Sequence, residues 1–120
     1  MDDSLELARQ IADTCFDKKA INTLVLDMRA LSIMCDYYVI ANAPTRVQIA
    51  DITRSIDDSQ SAKGRHAKSI QGRNENNWVL LDYGSVIVHL FLTQEREFYD
   101  LEGLWHKAPI VYAPDEEREG

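Results

Sequence analysis

Two apolar runs, Trp78-Val79-Leu80-Leu81-Asp82 and Val86-Ile87-Val88-His89-Leu90-Phe91, flank Tyr83-Gly84-Ser85 and constrain the fold more than any other feature of the chain. Strand-forming residues on both sides of a glycine-containing break predict a β-hairpin with a two-residue loop, whose central pair is Tyr83-Gly84 or Gly84-Ser85. Side chains alternate with period two, so either choice gives the same two faces. Val79, Leu81, Tyr83, Val86, Val88 and Leu90 make a core face. Trp78, Leu80, Asp82, Ile87, His89 and Phe91 make the other, where aromatic and aliphatic surface carries a carboxyl and an imidazole. A three-residue loop would scramble this division.

The rest of the chain supplies partners for the hairpin. Leu5, Ala8, Ile11, Ala12, Cys15 and Phe16 recur at spacings of three and four, predicting a helix capped by Ser4 and ending near Lys18-Lys19. Thr23 to Asp27 and Tyr37 to Ala41 read as two inner strands. Asn42 or Ala43 before Pro44 marks the start of a second helix, with Val47, Ile49, Ile52 and Ile56 as its apolar stripe and an end near Asp58. Turn residues between that helix and Trp78 frame a short strand near Ala67 to Ile70. Thr93 caps a last helix with Phe98, Leu101, Leu104 and Trp105 at apolar positions, and Ile110-Val111-Tyr112 adds an edge strand. The interleaved order predicts an α/β fold, a mixed sheet flanked by helices rather than a doubly wound parallel sheet.

A chain of 120 residues holds one core, assigned here to residues 1–113, with 114–120 an acidic, disordered tail. Its net charge of −7 is unevenly spread. Residues 44–73 carry Arg46, Arg54, Lys63, Arg65, Lys68 and Arg73 against Asp51, Asp57 and Asp58, leaving the remainder strongly negative. Such a surface is repelled by phosphate backbones and suits a basic protein partner, so little direct nucleic-acid contact is expected. No apolar stretch approaches the roughly 20 residues of a membrane span, and the acidic amino-terminal residues are unlike a signal peptide. A cytoplasmic protein is the expectation.

Motifs for catalysis are sparse. The five glycines are too dispersed to cradle a phosphate. Gly84-Ser85 resembles the start of a nucleotidyltransferase site, but the following strand offers Val86, Ile87, Val88 and His89 where that chemistry needs two acids to hold magnesium. Cys15 and Cys35 read as reduced, buried thiols, and His66, His89 and His106 lack metal-ligand spacing. No metal or cofactor is expected. Asp82 and His89, with Asp100 near, could form an acid/base pair, but beside exposed Trp78 and Phe91 they equally describe a binding patch, the preferred reading. Tyr99 and Asp100, on the outward side of the last helix, extend that patch.

The blocks Trp78 to Gly84, Val86 to His89, Arg96 to Glu102 and Leu104-Trp105, with Cys35 to Ile40 and Gln48 before them, resemble the ribosomal silencing factor family, also called Iojap-related. The resemblance spans roughly residues 4–112. It implies a nucleotidyltransferase-like fold lacking the catalytic acids, and a non-enzymatic translational repressor. Such a repressor binds the large ribosomal subunit through large-subunit ribosomal protein fourteen and sterically blocks association with the small subunit when nutrients are scarce. Carried over, Trp78, Leu80, Asp82, Tyr83, His89, Tyr99 and Asp100 are the candidate contacts, and the free protein is expected as a monomer or homodimer. The competing expectation is a small acid/base or nucleotidyltransferase-like enzyme using Asp82 and His89.

Overall fold

The computed structural model describes residues 3–94 and 107–117. Helix α1 (Asp3–Asp17) is followed by β1 (Ile21–Asp27), β2 (Tyr37–Ala43), α2 (Arg46–Ser61), β3 (Ser69–Gln71), β4 (Trp78–Asp82), β5 (Val86–Leu92) and β6 (Ile110–Tyr112). The strands form one six-stranded sheet in the order β3-β4-β5-β2-β1-β6. Only β2 and β5 run parallel, joined through α2, β3 and β4; the other neighbours are antiparallel. The expected mixed α/β architecture is the one observed.

Helix α1 buries Leu7, Ala8, Ile11, Ala12 and Cys15 on a single stripe. Ser4 lies within its first turn, not at its cap. At the other end Ala20 N donates to Cys15 O and Lys19 N to Phe16 O, with Lys19 at φ 66°. This pair of reverse bonds satisfies carbonyls that a helix end leaves free.

Helix α2 begins later than expected. The strand before it runs through Asn42 and Ala43, and Thr45 is the cap, its hydroxyl accepting from Gln48 N at 3.1 Å. Thr45 and Gln48 have the spacing of a capping pair, a stronger start signal than Pro44. The helix also continues past Asp58 to Ser61. Ile49, Ile52, Thr53, Ile56 and Gln60 are its buried stripe, whereas Val47 is 80% exposed.

The hairpin has the expected two-residue loop. Tyr83 N donates to Val86 O, and Gly84 sits at φ 86° while Ser85 has no positive φ, so the central pair is Gly84-Ser85. Positive φ at the first central residue alone is the type II′ pattern, in which glycine avoids a Cβ clash. Trp78 then faces Phe91, Leu80 faces His89 and Asp82 faces Ile87. Strand β3 is three residues long and pairs Ile70 with Leu81.

The sheet has a buried cluster on each side. On one, Val25, Tyr37, Val39, Ala41, Val79, Leu81, Val86, Val88, Leu90 and Leu92 meet α1 and α2. On the other, Leu26, Ile40 and Phe91 pack with Met28, Cys35 and Ala108, and Leu24, Tyr38, Trp78 and Ile87 lean on them half-buried. The chain beyond 113 is also not a free tail at its start. Pro114 is buried, Pro114–Glu117 form one helical turn, and Asp115 Oδ2 accepts from Asn22 N at 2.9 Å. Among the described residues no helix is long and apolar enough to cross a membrane.

Candidate functional site

The second face of the sheet is assembled by register. Antiparallel pairing sets Trp78 beside Phe91 and Leu80 beside His89, and the parallel pairing of β2 with β5 sets Tyr38 beside Ile87 and Ile40 beside His89. His89 is thus enclosed between two aliphatic neighbours and is 7% exposed. The Trp78 and Phe91 ring centroids lie 4.9 Å apart, and the Tyr38 ring meets His89 edge-on at 4.7 Å. Trp78 Nε1 donates to His89 Nδ1 at 3.2 Å.

Phe91 is wholly buried, so the expectation of an exposed Trp78–Phe91 pair is half right. Strand alternation distinguishes the two sides of a sheet but does not say how well each is covered. What reaches solvent is a ledge of half-exposed Tyr38, Trp78, Leu80 and Ile87, with Phe91 and His89 as its floor. Tyr38 was missed as a site residue. Its signal is the same period-two reading that sends Tyr37 into the helix-covered cluster.

Asp82 and His89 do not form a working acid/base pair. Asp82 Oδ1 accepts from Gly84 N at 2.7 Å and so holds the hairpin turn. The Nδ1 lone pair of His89 is taken by Trp78, placing the ring proton on Nε2, which is buried without a hydrogen-bond partner among the described residues. Desolvation pulls the His89 pKa down to about 4. At neutral pH the ring is an uncharged packing group whose one basic nitrogen, Nδ1, is engaged by Trp78.

Tyr83 also departs from the candidate set. It packs on the helix-covered face, its hydroxyl buried without a hydrogen-bond partner among the described residues, and burial with the nearby Asp57 carboxylate pushes its pKa up to about 12. Trp78, Leu80, Asp82 and His89 are therefore brought together on one face, and Tyr83 is sent to the other. Tyr99 and Asp100, with the expected helix after Thr93, lie outside the described residues. Among the described residues no group of three His, Cys, Asp or Glu side chains could hold a metal. Both cysteines are free and buried, and Cys15 is pushed up to about 12, first by burial and then by the Asp115 carboxylate.

Fold and site together define a small mixed α/β domain with an aromatic ledge on one face of its sheet. The sequence profile of the family described as "Ribosomal silencing factor during starvation" matches residues 1–120. The chain is 40% identical over 100 residues to the ribosomal silencing factor RsfS of Bacillus subtilis, covering 83% of this chain and 85% of that protein. It is 34% identical over 117 residues to the chloroplastic protein Iojap of Arabidopsis thaliana, covering 97% of this chain and 48% of that one. A crystal structure from Chromobacterium violaceum superposes with a TM-score of 0.83 at 24% identity, covering 93% of this chain and 94% of the other. One from Bacillus halodurans gives 0.74 at 33% identity, covering 90% and 95%. The chain belongs to the ribosomal silencing factor family, a family of regulatory proteins rather than enzymes.

Proposed function

We propose that the protein binds the large ribosomal subunit through large-subunit ribosomal protein fourteen and, by occupying that surface, prevents joining of the small subunit, silencing translation in the cytoplasm under nutrient limitation. The observation that carries this reading is the ledge. Trp78 is half-exposed, yet its ring orientation is fixed by Phe91 on one side and by the hydrogen bond to His89 below. A pre-oriented aromatic loses little entropy on docking, which is the property of residues that dominate protein–protein binding.

Leu80 and Asp82 flank Trp78 in this contact set, and His89 supports it from beneath. Tyr99 and Asp100 are proposed to complete it. Net charge favours a basic ribosomal protein over phosphate. Size supplies the mechanism: a body of 34 × 33 × 31 Å cannot be accommodated in a closed subunit interface, so docking alone obstructs joining. The free protein is a monomer or homodimer in this reading, and no cofactor or chemical step is needed.

Co-sedimentation with separated ribosomal subunits tests it. The protein should pellet with large subunits and not with small ones, and inhibition of joining, followed by light scattering, should saturate near one protein per large subunit. Equal binding to both subunits, or full inhibition at a small fraction of that ratio, overturns the steric account.

A further inference from the structure

The loop between β1 and β2 places its apolar side chains in water. Ile33 is 102% exposed and Met34 82%, with Leu31 beside them also exposed. The loop is built to hold them there. Leu31 N and Ser32 N both donate to Met28 O, Met34 N donates to the Ser32 hydroxyl, and Met28 N pairs with Asp36 O. Arg29 forms a two-point pair with Asp27 and lies over the Tyr37 ring, 5.5 Å from its centroid. Both ends of the loop are anchored in the core beneath the ledge through Met28 and Cys35. Asp36 N and Tyr37 N donate to Ser85 O, which fixes the loop against the hairpin turn.

Solvent-facing apolar groups on an ordered loop gain nothing for the fold, since they bury no area in it. The charge around them is acidic on balance, with Asp27, Asp36 and Asp82 set against Arg29 and the Lys68 side chain that lies over Gly84. Asp36 closes the loop and Asp82 holds the adjoining turn, both near enough to Cys35 for their carboxylates to act on its thiol. Arg29, the nearest cation in the loop, is already taken by Asp27.

We propose that Ile33 and Met34 form an apolar prong that extends the Trp78 ledge and inserts into an apolar cleft on a basic protein, with Asp36 and Asp82 meeting cations at the rim. The partner is the ribosomal protein of the proposed function, so the assignment rests on that reading. The loop that carries the prong is tied to the ledge from beneath, because Cys35 next to Met34 packs in the buried cluster on which Tyr38 and Ile87 lean. Acidic rims around apolar centres give basic partners both contact area and steering.

The test is binding of purified large subunits by the double variant Ile33→Ser/Met34→Ser, with Val47→Ser, an equally exposed site on α2, as control. Neither change removes a buried group, so the melting temperature should be unchanged. Affinity for large subunits should fall about thirtyfold or more for the double variant and less than about twofold for the control. Met34→Lys should weaken binding more than Met34→Glu, because a lysine opposes a basic partner. Wild-type affinity in the double variant, while the wild type itself pellets with large subunits, overturns the prong and leaves the proposed function standing. Failure of the wild type to pellet overturns both. Tighter binding by Met34→Lys assigns the site to RNA phosphates, and loss of self-association with unchanged subunit binding assigns it to a second copy of the chain; either overturns the proposal.

Discussion

The two faces of the sheet are built from different chemistry although the same strands supply both. The face under α1 and α2 is mainly aliphatic, with Val39, Val79, Leu81, Val88 and Leu90 meeting Leu7, Ile11, Ile49, Ile52 and Ile56 beside the Tyr37 ring. Its contacts are non-directional, and its strength follows the area removed from water. The other face is aromatic and imidazole, tied by an N–H to nitrogen bond and by edge and stacking contacts among Tyr38, Trp78, His89 and Phe91. Directional contacts fix orientation where burial is incomplete. The sheet thus separates a side that holds the fold from a side that presents a surface, and substitutions on the two should fail in different ways.

The largest expected effect is on the aliphatic side. Leu81 is wholly buried between the helices and the sheet, and Leu81→Ala should cost about 3–5 kcal/mol through lost transfer energy and a residual cavity. Urea unfolding reads this directly. Affinity of the folded fraction for large subunits should not change; if binding falls while stability holds, the division between the faces is wrong.

The next effect belongs to the other face and appears only with acid. The His89 pKa is held at about 4, below its usual 6.5, because burial disfavours the imidazolium. Between those values the unfolded chain takes up a proton that the folded protein excludes. Stability is therefore full above pH 6.5 and falls as pH drops toward 4, by about 3 kcal/mol for this group. In His89→Leu this contribution to the slope should be absent, read from unfolding midpoints at pH 7 and pH 4.5 in both proteins. An equal slope in the variant would mean that His89 is solvated in the folded state.

Truncating the ledge should affect binding more than folding. Trp78→Ala removes the half-exposed ring and should cost about 2 kcal/mol of subunit affinity, against less than about 0.5 kcal/mol for Lys68→Ala at the sheet edge. Circular dichroism on the same sample checks that β4 is intact. Trp78→Phe retains stacking on Phe91 but not the N–H to His89, and should fall between.

The hairpin was legible because local chemistry decided it. Alternation set the two faces, Gly84 set the turn, and both survive unchanged into the ladder. The same held for Ile110–Tyr112, where three strand formers follow a proline. Less legible were features that depend on what comes to rest nearby in space. Pro44 reads as the start of α2 until strand β2 claims Asn42 and Ala43, whose pairing with Phe91 and Leu92 extends it. The stretch from Pro114 reads as a solvated acidic run until Asn22 is brought 93 positions along the chain to Asp115. At the site, sequence identified the residue types and the face that Tyr83 takes, but not coverage: Phe91 is sealed, and Tyr38 arrives from a strand distant in sequence.

The smallest expected effect comes from Asp82, and it sharpens the boundary between the faces because that side chain serves the turn and the surface together. Its Oδ1 accepts the Gly84 N–H at 2.7 Å, a bond that the neutral amide of an asparagine can also accept. Asp82→Ala removes the acceptor and should lower stability by about 1 kcal/mol, whereas Asp82→Asn should lower it by about half as much or less. Both remove the charge, so both should weaken subunit binding by the same small factor, about two- to threefold, with a shallower salt dependence than the wild type. Thermal unfolding and pelleting at two salt concentrations separate the contributions. If Asp82→Asn binds as the wild type does while Asp82→Ala does not, Asp82 acts through the turn alone, and the acidic rim must be carried by Asp36. If instead Asp82→Asn abolished a turnover measured with a nucleotide or ester substrate, the carboxylate would be reacting rather than steering, and the description of this face as a docking surface would fail.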